Sequence, residues 1–568
     1  MSQPHYALDL REPQRHRIQV TLSLTPVRGQ LQLQLPCWTP GSYLERDYVR
    51  HLEGLWAQQG SQLIEVERSS RHSWTLHGLR PDEPLQVHYA VLGVEASVRT
   101  NWLDAESGFL TAAAWALEVE GCRWQPHSLS LQLPPAWQVA TSLQPKFNGW
   151  QARDYDQLVD APLALGALQE LTFNVGEVPH RWVWQGLSQP APLAAWHEDL
   201  PSLCSAVCAL LGSSRPVSDA YLFMTRFTAG GYGGLEHDDC TALMFCRREF
   251  GTVAGTRRLL QLAAHEYLHQ WNVRRLRPRQ LRPYRYGGAV LVPELWFAEG
   301  VTSYYDQLVL LHAGLCSEED YLTDLAKDIS RLLTTPGRRV QSLLDSGTEA
   351  WVKLYRADAH SSNQQVSYYL KGALVALLLD LHLLARGSGL HGLLQLLWQR
   401  FGAAERGYSQ ADLMAAVAEL DPELETLLNG WLTGVDELPL DGYLKTVGLN
   451  LTPDTSTVAF SGLHLELVDA QLLVRRVVRD SPGEDAGLSP GDELLAINGE
   501  RLRRTEQFEQ WLQPGVEQNL LVCSDGRVRT VPIQPRAPQP SSWSLRIDPQ
   551  ASEAACRLRS HWFSSPTR

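Results

Sequence analysis

The hydrophobic period of this 568-residue chain changes twice, and each change commits a segment to a different kind of element. In "GQLQLQLPCW", Leu31, Leu33 and Leu35 alternate with Gln32 and Gln34, the two-residue period of a half-buried strand. "HRIQVTLSL", "EPLQVHYAVLG" and "HSLSLQLPPAW" repeat the pattern between prolines and glycines, so residues 1–175 are expected to form an antiparallel β-sandwich. Within it, residues 38–43 are expected to make a tight sandwich turn. Over 176–447 the period becomes helical: "TRRLLQLAAHEYLHQW" carries a stripe of Leu259, Leu260, Ala263, Tyr267 and Trp271. "SYYLKGALVALLLDLHLLAR" is apolar nearly all round, as a buried helix should be. Strands return over 448–537, interrupted by one short helix, "TEQFEQWL". A Pro/Ser-rich C-terminal tail, 538–568, follows. A chain of this length exceeds a single core, so a multidomain α+β protein is predicted.

Composition narrows the function. Fifty Lys and Arg against 63 Asp and Glu give a net charge of −13, and no basic stripe dominates, which argues against a nucleic-acid binder. The N-terminus lacks a basic and apolar leader, and no apolar run is long enough for a membrane span; "GALVALLLDLHLLARG" contains Asp380 and His382. The nine cysteines include no C-x-x-C pair, and Cys204 and Cys208 read as one face of a core helix. Reduced thiols in a cytoplasm are expected, without a cysteine-based metal site.

The chemistry starts at "AAHEYLHQW". Residues four apart share a helix face, so His265 and His269 can aim two imidazoles at one point, with Glu266 beside them. Zinc accepts neutral imidazole, and an adjacent carboxylate can take a proton from water at such a site. A catalytic zinc needs a third protein ligand, and "ELWFAEGVTSYYDQL" offers two carboxylates, Glu294 and Glu299. Upstream, "TAGGYGGLEHDDC" lacks the ending of a phosphate loop. Its Gly233 and Gly234 would admit a peptide backbone closely, and Glu236 is a sound partner for a cation. Downstream, the tyrosines of "SYYLKG" read on their own as core residues at a helix start.

These blocks resemble the gluzincin metallopeptidases, including the aminopeptidase N group. H-E-x-x-H followed by W-x-x-E-G implies His265, His269 and Glu299 as ligands of one Zn²⁺ per chain, with Glu266 as the catalytic base. "GGLEH" is similar to an exopeptidase motif in which a strand edge lies along the substrate and Glu236 binds its free α-ammonium. Y-x-K-G implies Tyr369, rather than Tyr368, as support for the oxyanion. The gap between His269 and Glu299 is longer than in thermolysin or aminopeptidase N, so "RPRQLRPYRYGGAVLVP" looks like an inserted loop. Ser303 stands where thermolysin-like enzymes keep an acid that orients a ligand, which leaves the partner of His265 open.

Over nearly its full length the chain resembles the glycyl aminopeptidase family, gluzincins with a C-terminal PDZ domain. "LPCWTPGSYLERDYVRHLEGL" is similar to that family's W-x-P-G-S-Y signature, and "DSPGEDAGLSPGDELLAINGERL" to a PDZ core. The resemblance implies a thermolysin-like catalytic domain and a zinc aminopeptidase taking peptides with a free N-terminus, small first residues such as Gly or Ala being favoured. Gly462, Leu463, His464 and Leu465 would hold a C-terminal peptide at the PDZ groove by strand addition. A thermolysin-like endopeptidase, which would not need Glu236, and an inactive PDZ scaffold are the alternatives.

Overall fold

A computed structural model describes residues 1–187 and 193–566. The alternating N-terminal segments form two sheets, one of eleven strands and one of four among the described residues, packed around a core that includes Leu31, Leu33 and Leu35. The pairing is antiparallel except where His5–Asp9 runs parallel to His127–Gln132.

The middle of the chain is less purely helical than its sequence suggests. Gln169–Val175, Val178–Gln185, Tyr221–Thr228, Cys240–Cys246 and Gly233–Glu236 form a five-stranded sheet in that spatial order. Its three central strands run parallel. Such strands are covered on both faces and lose the alternation that reveals a strand. "YLFMTRFT" and "CTALMFC" are accordingly buried along almost their whole length. Gly233–Glu236 lies at the open edge, antiparallel to Cys240–Cys246.

Helices cover one side of this sheet. Helix Tyr368–Ala385 is long and apolar enough to cross a membrane by composition, but 78% of that window is buried inside the fold. Its Asp380 accepts hydrogen bonds from Tyr304 and from the Leu390 amide, as a polar group in a core helix must.

The PDZ module has its own core, built on Leu472, Val474, Leu494, Leu520, Val522 and Phe508. Asn363 ties it to the catalytic domain through Val477 O at 2.7 Å and the Arg479 amide at 3.0 Å. The expected C-terminal tail is instead structured. Pro540–Ile547 pairs with Leu449–Thr455, and its Trp543 amide donates to Ser330 Oγ at 2.7 Å. Helix Glu553–Trp562 then buries Trp562, whose indole N–H donates to Tyr304 at 2.8 Å. Its loop-like composition misleads because the buried Trp562 and the half-buried Trp543, rather than a long apolar run, hold this segment down.

Candidate active site

The histidine helix, Val253–Leu268, starts at Thr252, whose hydroxyl accepts the Gly255 amide. Leu259, Leu260, Ala263 and Tyr267 bury its apolar stripe. His265 lies in its last turn and His269 is its C-cap. His269 Nδ1 lies 2.6 Å from the carbonyl of Asn272 and so must carry the proton, which leaves Nε2 as a lone-pair donor. His265 Nδ1 lies 2.8 Å from Asp306, whose other oxygen accepts from Gln261 at 2.8 Å. Asp306 therefore takes the orienting task that Ser303 could not. It stands two turns beyond Glu299, a distance at which a helix again presents the same side.

Glu299 arrives on a π-helical segment, Trp296–Val301, continued by helix Thr302–His312. A π-turn disturbs the regular ladder of carbonyl acceptors. Asn272 Nδ2 answers by donating to Phe297 O at 3.0 Å and Ala298 O at 3.3 Å. One loop residue thus holds the third carboxylate's backbone while its own carbonyl orients His269. The glycines of W-x-x-E-G and Y-x-K-G have a packing cause. A Cβ on Gly300 would come within 2.6 Å of Gly372 Cα, and one on Gly372 within 2.9 Å of Trp296 O. Without those side chains helix Tyr368–Ala385 crosses close enough to bring Tyr369 beside His265, ring centroids 6.4 Å apart.

Glu299 Oε2 lies 3.5 Å from His265 Nε2 and 3.3 Å from His269 Nε2. Ligands at about 2.0–2.1 Å from a tetrahedral zinc stand roughly 3.3–3.5 Å from one another, so the residues fit the ion. Glu294, the competing carboxylate, is engaged elsewhere: Gln280 Nε2 donates to both its oxygens and the Gln410 amide to one.

Glu236 and Glu266 complete the cluster, their carboxylates grouping with His269. Glu236, Glu266 and Glu299 are each 4% exposed or less, and buried carboxylates in such number require a cation. Burial pushes the Glu266 carboxyl up to about 7, the imidazoles of His265 and His269 pulling down and Glu236 and Glu299 pushing up. Burial also opposes charge on Glu299, yet His269 and His265 bring it down to about 2. Gly234 makes room for Glu266: a Cβ there would lie 2.0 Å from its Oε1.

Sequence reasoning missed the contribution of the N-terminal domain. Residues 38–43 do turn, with the Ser42 amide donating to Thr39 O and Gly41 at φ +81°. However, the turn is no free corner of the sandwich. A Cβ on Gly41 would meet the Glu236 carboxylate at 2.4 Å, so this glycine walls the amine-anchor candidate at van der Waals contact. The inserted loop receives it: Cys37 N donates to Tyr286 O, and the Trp38 indole N–H to Arg285 O at 2.7 Å. Asp160, also from the N-terminal side, lies 3.0 Å from His237 Nδ1 and accepts from the Asp238 amide at 2.7 Å and Arg274 at 2.7 Å, fixing the chain after Glu236. Only the glycine and aromatic residues of 38–43 signalled any of this.

Of the two tyrosines, Tyr368 is fully buried while Tyr369 is partly exposed and shares a 3.0 Å hydroxyl–hydroxyl hydrogen bond with Tyr355. Tyr369→Phe is expected to lower kcat with little change in KM, since a hydrogen bond to a developing oxyanion counts mostly in the transition state. Steady-state kinetics beside Tyr368→Phe checks it; an unchanged kcat in Tyr369→Phe with a collapse in Tyr368→Phe moves the role one residue back.

Residues 258–375 match the family model for M61 glycyl aminopeptidases, and residues 5–167 that for the peptidase M61 N-terminal domain. The chain belongs to the M61 glycyl aminopeptidase family. A PDZ domain matches over 473–523. The catalytic and N-terminal regions thus both match peptidase-family domains. A crystal structure of an aminopeptidase N family protein from Idiomarina loihiensis superposes with a TM-score of 0.92, at 28% identity over 99% of this chain and 100% of that one. An M1 zinc metallopeptidase from Deinococcus radiodurans gives a TM-score of 0.49 at 16% identity, over 77% and 95% of the two chains. A protein of Pasteurella multocida provisionally named a zinc metalloprotease is 32% identical over 111 residues, 19% of this chain and 24% of that one. The chain thus spans about a quarter of that relative's length.

Proposed function

We propose that this M61 protein is an aminopeptidase with one zinc per chain, held by His265, His269 and Glu299, which removes single residues from the free N-terminus of peptides. The observation that carries the reading is Glu236. This carboxylate is 3% exposed, ends a sheet-edge strand, and has one oxygen without a hydrogen-bond partner in the structure. A substrate α-ammonium supplies the missing donor and charge.

Zinc, when bound, supplies Lewis-acid polarisation of the scissile carbonyl and of the attacking water. Glu266 takes the proton of that water and delivers it to the leaving amine. Tyr369 donates to the oxygen of the tetrahedral carbon, and Tyr355 restrains its hydroxyl. A preference for small first residues such as Gly or Ala is supported by Gly41, whose main chain leaves little space beside Glu236. At the PDZ edge strand Leu463–Val468, we read a site for a C-terminal peptide. Gly462 at φ +73° shapes the loop there, and Ser461 Oγ accepts the Leu463 amide.

The test of the exopeptidase reading is a matched peptide pair, one free and one N-acetylated. Acetylation removes the cation and leaves Glu236 buried without its partner, so free peptide is expected to be preferred strongly. Glu236→Ala is expected to close that gap by roughly ten- to hundredfold in kcat/KM, through loss on the free peptide. Internal cleavage of the acetylated peptide at a comparable rate by the wild type would replace the aminopeptidase with an endopeptidase.

A further inference from the structure

The edge strand that ends at Glu236 also orders the cleft. Glu236 stands at one end, Gly234 packs against Glu266, and Gly233 is one step further from the amine anchor. A peptide whose amine meets Glu236 and whose scissile bond meets Glu266 therefore carries its leaving group towards Gly233. A strand advances about 3.4 Å per residue, so Glu236 to Gly233 spans about 10 Å, the length of an extended tripeptide.

At that far end stands an arginine from the N-terminal domain. Arg99 Nη2 donates to Gly234 O at 2.8 Å, and its Nη1 would lie 3.5 Å from a Cβ built on Gly233. The guanidinium thus lies along the open strand edge, where an added chain would run. Arg46 is the second cation. It donates to Ser42 Oγ at 2.9 Å, next to the Gly41 that walls Glu236. Burial holds Arg46 below the usual guanidinium range, Tyr48 and Tyr355 acting against this effect and Arg99 adding to it. Neither arginine pairs with a carboxylate among the described residues, and the buried Nε of each has no hydrogen-bond partner. Their neighbours pair in the ordinary way: Arg50 with Glu95, Arg71 with Glu45. Two half-buried guanidiniums, close enough to repel and lacking a counter-ion, need an anion.

We propose that Arg99 and Arg46 bind a carboxylate on the leaving-group side of the substrate, which makes short peptides, two or three residues long, the preferred substrate class. The proposal rests on the aminopeptidase reading, which fixes the substrate's direction. Arginine suits the task because its planar fork matches a carboxylate with two parallel hydrogen bonds. Longer chains would have to leave the strand edge at Arg99.

The experiment compares Ala-Ala and Ala-Ala-Ala as free acids with their C-terminal amides, and adds Ala-Asp-amide, on the zinc-loaded full chain. The free acids are expected to exceed the amides by roughly tenfold or more in kcat/KM, mainly through KM, the usual worth of a charge-assisted hydrogen bond. If Ala-Asp-amide matches the acids, the carboxylate is taken from a side chain as well as from a C-terminus. Arg99→Gln and, separately, Arg46→Gln should bring the acid-to-amide ratio towards one, with Arg99→Lys restoring part of it. Because Arg99 also supports Gly234, the ratio rather than the rate is the readout, and Arg46→Gln answers if Arg99→Gln does not fold. Equal hydrolysis of acids and amides by the wild type overturns the carboxylate site, and leaves the aminopeptidase reading intact if acetylated peptides are still refused. Cleavage of acetylated peptides as fast as free ones overturns both.

Discussion

Glu266→Gln is expected to keep its fold and its zinc while losing roughly 10²–10⁴ or more in turnover, the usual worth of a positioned base. The substitution is close to isosteric, so the contact that Gly234 makes room for survives. What is lost is proton transfer, because an amide at this position cannot accept a proton from water. The native carboxyl is well placed for the task, since its oxygens group with His269 beside the candidate metal ligands. Removing one negative charge from a cluster of three buried carboxylates also relieves repulsion, so the variant should unfold no earlier than the wild type. Steady-state rates, metal analysis and a thermal melt on the same preparation check all three points. Near-normal turnover with zinc bound would remove Glu266 from the mechanism.

Glu299→Ala is expected to lose its zinc, and with it activity, whereas Glu294→Ala is expected to retain the metal. Glu299 is the carboxylate 3.3–3.5 Å from both imidazole Nε2 atoms, and deleting it leaves two ligands where a catalytic zinc uses three. Glu294 instead holds Gln280 and the Gln410 amide, so its loss should cost stability but not the metal. Metal content of the dialysed proteins is the measurement. Zinc retained in full by Glu299→Ala and missing from Glu294→Ala would reverse the choice of carboxylate.

Local sequence carried much of this site, because the chemistry depends on helical spacing. His265 and His269 share a face at any realisation of their helix, and W-x-x-E-G and Y-x-K-G each combine a candidate side chain with the glycine that lets two helices meet. The parallel strands at Val178–Gln185, Tyr221–Thr228 and Cys240–Cys246 were hidden for the opposite reason. Strands buried on both faces have no polar alternation to read. The last segment was hidden because Trp543 and Trp562 fasten it to partners more than two hundred residues away.

The sequence alone determined the order of the domains, the helix that aims two imidazoles at one point, and the choice of residue types that suit zinc, base and amine anchor. These follow from periods and spacings within a few turns of chain. Only the tertiary structure decided which groups surround them. Asp306 orients His265, the Asn272 carbonyl orients His269, Asp160 fixes the strand end beyond Glu236, and Gly41 lies against the Glu236 carboxylate. Arg99 reaches the same strand edge from the N-terminal domain. Apart from the Asn272 carbonyl, these contacts join residues brought together by folding, often from different domains. No local periodicity encodes such pairs, because their energy comes from desolvation and hydrogen bonding that exist only once the domains have closed on one another.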